Sequence, residues 1–180
     1  MEGVLEILKF LLPALALGGT AYLITLRFLE YAQSKQQPDV QKTVQELIIP
    51  ARMQAYERIV LFLERITPEN LVRRVIKQGM SARLLQNDLT AAVRSEYEHN
   101  LSQQVYMSTS AWKMAKTATE ETIRLINVCG SNLSATATGT DLAQRIFDII
   151  SQAGKFPTEV AIDGIKMEFA QYYLHSPSGK

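Results

Sequence analysis

The residues best suited to chemistry are Glu96 and His99, which stand three apart in Glu96-Tyr97-Glu98-His99. On a helix that spacing puts a carboxylate and an imidazole on one face, the Glu-x-x-His arrangement with which carboxylate-bridged metal bundles hold their ions. Such centres need a second Glu-x-x-His and two further glutamates from other helices. The other histidine, His175, has Tyr172 rather than a glutamate three residues before it. A solvated or hydrogen-bonded His99 is therefore expected. A small enzyme or metal-binding bundle centred on Glu96 and His99 stands as the alternative.

Other kinds of reactivity find less support. Cys129, the single cysteine, follows the apolar helix end Ile126-Asn127-Val128, where a buried, inert thiol is expected. One cysteine closes no disulfide within the chain and makes no structural zinc site. The nine glycines form neither a phosphate loop nor a dinucleotide fingerprint, and no serine sits in a nucleophile elbow. Glu120 and Glu121 read as neighbours on a solvated helix face. No catalytic residue and no cofactor is expected, and the chain reads as a non-enzyme.

The elements that would position any site are helices. Seventeen uncharged residues, Phe10 to Leu26, lie between Lys9 and Arg27. At ~1.5 Å per residue they cover roughly 25 Å, slightly short of a ~30 Å hydrocarbon core, and flanking cations can snorkel to its edges. The expectation is an N-terminal transmembrane helix. A cleaved signal peptide fits less well, because the small-residue site Ala14-Leu15-Ala16 comes only four residues into the run and the preceding segment carries Glu2 and Glu6. Lys9 upstream against Arg27, Lys35 and Lys42 downstream predicts the N-terminus outside and the C-terminal domain in the cytoplasm. Within the run, Ala14, Gly18 and Gly19 would let another membrane helix approach closely.

The remainder reads as one helical domain. The whole chain, at 47% hydrophobic and 21% charged residues, is ordinary for a globular protein, and its formal charge of +1 argues against nucleic acid as a partner. Residues 1–34 are assigned to the anchor and its extension, 35–39 to a hinge around Pro38, 40–174 to the helical domain, and 175–180 to a flexible tail. Pro50 should kink a helix or begin one. The five apolar residues Ile59 to Leu63 predict a segment enclosed on all sides at the domain centre. Thr67-Pro68-Glu69 marks a helix start, and Gly79 suits a left-handed stop. Ser81, Thr140 and Thr158 are the expected caps of later helices. Leu85, Leu89, Val93, Tyr97, Leu101 and Val105 recur every four residues as one stripe. The architecture predicted is all-α: a membrane helix followed by a bundle of about five to six helices.

Two polar features remain. Between Arg52 and Arg83 there are seven basic residues against Glu57, Glu64 and Glu69, either a solvated face or a contact for anionic lipid. Glu57-Arg58 and Glu64-Arg65 repeat at seven-residue spacing, and with Tyr56 they form a candidate seam that clamps helices or receives a partner.

The segments Pro50 to Leu71, PARMQAYERIVLFLERITPENL, and Arg94 to Gln104, RSEYEHNLSQQ, followed by Trp112, resemble an uncharacterised family from Bacteroidota. The resemblance spans about residues 5 to 170. It implies one membrane helix, a helical domain and a bacterial inner-membrane location, and it brings no activity and no catalytic residues. The function expected is a membrane-tethered interaction or scaffold module that self-associates, as a homo-oligomer, or docks a protein partner at the bilayer.

Overall fold

Two of the six prolines, Pro68 and Pro157, and several hydroxyl residues set where helices begin in a chain of otherwise good helix formers. The computed structural model describes residues 2–174, and the side chains of 15–31 and 46–173. The helices are α1 (Glu2–Ile66), α2 (Pro68–Val75), α3 (Ala82–Asn100), α4 (Thr109–Ser131), α5 (Gly139–Gln152) and α6 (Pro157–Phe169). A 3-10 turn, Leu101–Val105, follows α3, and a π-helical turn, Ala170–Leu174, follows α6. Among the described residues there is no strand; Ser81 and Thr138 form an isolated antiparallel bridge. The all-α class is as expected.

The membrane helix is not. Among the described residues no helix is long and apolar enough to cross a membrane. The first part of the apolar run, Phe10 to Ala14, lies outside the side chains described. From Leu15 only twelve uncharged residues remain before Arg27, which pairs with Glu30 at 3.6 Å. Twelve residues cover about 18 Å, well short of a ~30 Å core. The transmembrane anchor and the single-pass inner-membrane location are both corrected on this ground, and the charge-based topology falls with them.

The chain divides into two units, Met1–Ile49 and Pro50–Lys180. The boundary lies beyond the expected hinge at 35–39, and α1 runs through that segment and through Pro50 as one helix. The tail 175–180 lies outside the described residues. In the first unit every described side chain is exposed.

The second unit holds the core. α4 packs on α6 and α3, and α3 packs on α5. From α1, Ala55, Tyr56, Ile59, Phe62, Leu63 and Ile66 are buried at the spacing of one helical stripe. Leu61, inside the five-residue apolar run, is 59% exposed, so α1 is amphipathic here rather than enclosed all round. Leu85, Leu89 and Val93 are fully buried, but Leu101 and Val105 are exposed, Val105 by 77%. Strict four-residue spacing rotates a stripe by about 40° at each step, so it leaves the buried face after a few turns. α3 also ends at Asn100, which places these two residues in the 3-10 turn.

Helix starts follow local chemistry in part. Ser81 caps α3 by accepting from the Leu84 amide, and Pro68 opens α2. Gly79 and Gly154 take φ of +79° and +70°, a region that favours glycine. The cap of α5 is Thr138, not Thr140: its hydroxyl accepts from the Asp141 amide while Asp141 accepts from the Thr138 amide. Thr67 stands at the N-cap position of α2, as expected, but makes no side-chain cap bond, and Thr158 lies inside α6, whose N-cap is Phe156. The Thr67 hydroxyl donates to the Leu63 carbonyl, and it lies 3.3 Å from that of Thr158, so tertiary packing has claimed both groups.

Candidate functional site

The last four turns of α1 carry polar residues on two flanks of their buried stripe, and each flank meets a different helix. On one flank, Arg65 reaches α3. Its Nε donates to Glu96 Oε1 at 2.8 Å, and a second guanidinium nitrogen lies 2.6 Å from the same oxygen. Arg74, at the end of α2, donates to that oxygen at 2.9 Å and to the Arg65 carbonyl at 3.3 Å. One carboxylate thus ties three helices together. Its side chain is 18% exposed. Burial alone would raise the Glu96 carboxyl above its usual range; hydrogen bonds and attraction from Arg65 and Arg74 outweigh this and hold it below.

Two turns back along α1, Arg58 lies 3.4 Å from Nε2 of His99. The seven-residue spacing of Arg58 and Arg65 sets both against α3, around a cavity of about 280 Å³ with Leu61, Phe62, Glu96, His99 and Asn100. Asn100 is buried and donates back to the Glu96 carbonyl at 2.8 Å. The glutamates of the expected seam behave differently: Glu57 and Glu64 are both exposed, and the structure pairs the arginines with α3 instead.

On the other flank, the Tyr56 hydroxyl donates to Glu168 Oε1 on α6 at 2.5 Å. Ser108, the cap of α4, donates to Glu168 Oε2 at 2.8 Å while accepting from the Ala111 amide at 2.9 Å. Burial and the Glu168 carboxylate push the Tyr56 phenol up to about 12, which keeps it protonated as a hydrogen-bond donor and makes it a poor acid. Phe169 packs tilted and Tyr173 edge-on against the Tyr56 ring, at centroid distances of 5.6 and 6.2 Å. Beside this cluster an apolar groove of about 330 Å³ runs past Met53, Val60 and Ile165.

Sequence reading picked out Tyr56, Arg58, Arg65, Glu96 and His99, and the fold gathers them on these two flanks. It missed Arg74, Ser108 and Glu168. Glu168 has no partner within its own helix pattern that marks it, so only contact across 112 residues reveals it. The basic stretch is not one solvated face: Arg52 donates to the Tyr106 carbonyl, and Arg58, Arg65 and Arg74 enter the contacts above. Gly18 and Gly19 have open space around them, and Ala14 lies outside the described side chains.

Chemically, the arrangement clamps helices. Among the described residues no group of three or more histidine, cysteine or acidic side chains gathers as a metal site. Glu96 already holds two guanidiniums, whose charge opposes a cation there. Cys129 is fully buried, and burial pushes its thiol up despite an opposing pull from Arg145.

No curated protein and no solved structure matches the chain. A family model does match, over residues 2–172, and the chain belongs to that family, the family of unknown function DUF7935.

Proposed function

We propose that this protein is a non-enzymatic helical association module, in which the apolar segment of α1 from Leu15 to Tyr31 packs against the same segment of a second copy. The observation that carries this is exposure: Leu17 is 72%, Ile24 68% and Phe28 68% exposed. A helix apolar around much of its circumference is stable in water only when other helices enclose it. Identical copies supply that enclosure through closed symmetry, and the bare backbone at Gly18 and Gly19 permits close approach. The bundle of the second unit then serves as a rigid body carried by the association helix. A Bacteroidota source is proposed on the resemblance of its two segments alone.

Sedimentation velocity on the full chain across a concentration series tests the reading. A reversible oligomer is expected, reduced to monomer in the double variant Leu17→Asp, Ile24→Asp while helicity of the bundle is kept. A wild-type chain that stays monomeric throughout, or an oligomer indifferent to the double variant, overturns it.

A further inference from the structure

The cavity between α1 and α3 has more positive charge than its own carboxylate neutralises. Arg58, Arg65 and Arg74 converge on it or on its rim, and Glu96 is the one acid among its lining residues. Arg65 and Arg74 are committed to Glu96 Oε1. Arg58 is not: it makes no ion pair among the described residues, and its contact with His99 Nε2 is 3.4 Å. That is longer than the ~2.7–2.9 Å of a charge-assisted bond. A guanidinium offers five N–H donors and no acceptor, and an imidazole donates when its ring proton faces the partner. In the contact as it stands Arg58 donates and His99 Nε2 accepts; with the ring proton on Nε2 instead, the two donate jointly to one acceptor group. Leu61, 59% exposed, lines the same cavity and gives an apolar surface beside that pair, over the buried Phe62.

We infer that Arg58 and His99, backed by Arg65, bind a small organic oxyanion, a carboxylate or phosphate monoester, whose carbon portion rests on Leu61. The anion accepts from Arg58 and His99 and replaces their long mutual contact with two charge-assisted bonds. Glu96 keeps its own arginines and bars larger polyanions by repulsion. This site is independent of association through α1.

Titration of the full chain with benzoate and with phenyl phosphate, at constant ionic strength so that general screening does not change, tests the site. Calorimetry is expected to give saturable one-to-one binding, millimolar or tighter, for at least one probe. Arg58→Gln should weaken it at least tenfold, whereas Arg83→Gln, on an exposed residue elsewhere, should leave it unchanged. In the wild-type chain the His99 imidazole resonances should shift on saturation, a readout that needs no cavity variant; His175→Gln assigns them. Absence of saturable binding by either probe, equal loss in both arginine variants, or unmoved His99 resonances overturns the site.

Discussion

The same helix is apolar twice, with opposite consequences. Between Leu15 and Tyr31, α1 exposes every described side chain; between Ala55 and Ile66 it buries six residues of similar character, five of them to 1% exposure or less. Hydrophobicity alone does not separate the two stretches. What separates them is the pattern of polar residues. In the second stretch Tyr56, Arg58 and Arg65 flank the apolar stripe and find partners on α3 and α6, which fixes which side faces inward. The first stretch has no such flank until Arg27 and Glu30, and these pair within the helix itself.

Substitutions matched across the two stretches sharpen this contrast. Phe62→Ala removes a fully buried ring, and the cost expected is about 3–5 kcal/mol, read as a lowered urea midpoint at unchanged slope. An effect below about 1 kcal/mol would mean that the second stretch is as loosely held as the first.

Glu96→Gln comes next. It leaves Arg65 and Arg74 without their shared anion, and because Arg65 is about half exposed, solvent screening limits the loss to about 1–2 kcal/mol. Glu96 also dictates an acid-side response. Its folded value lies below the ordinary 4.5, so its contribution is full above that pH and disappears as pH falls through the lower folded value. Urea midpoints measured over this range should show that slope in the wild type and a shallower one in Glu96→Gln.

Tyr56→Phe is expected to cost about 1 kcal/mol, the loss of one hydrogen bond to a carboxylate that keeps Ser108. The sign at alkaline pH is opposite to that of Glu96. With the phenol at 10 unfolded and about 12 folded, its contribution is intact below 10 and is lost as pH rises through about 12. Thermal melts from pH 9 to 12 should fall less steeply in the phenylalanine variant.

Leu23→Ala, in the exposed stretch, should change bundle stability by less than about 0.5 kcal/mol. A larger loss in dilute monomer would show that this stretch has partners within its own chain.

Local chemistry was legible wherever a residue acts on its immediate neighbours. Ser81, Pro68, Gly79 and Gly154 do their work within four residues, and each stands where its type predicts a cap or turn. Thr67 was rightly placed at a helix start and Thr158 was misread as a cap, because a hydroxyl that caps an isolated helix can instead be drawn into a buried contact between helices. The Leu85 to Val105 stripe was half legible: spacing identifies a helix, but its rotation and its end decide which leucines are covered. In the fold the two halves of the repeat part: Arg58 and Arg65 meet α3 while Glu57 and Glu64 are exposed, since residues adjacent in sequence point in different directions around a helix.

By itself, then, the sequence determined that this is an all-α chain with helices starting and stopping near these positions, since propensity, caps and glycine geometry act over one turn. Only the tertiary structure decided that Glu96 binds two arginines and Glu168 binds Tyr56 and Ser108. Those partners lie 22 to 112 residues apart, and no local rule reaches that far.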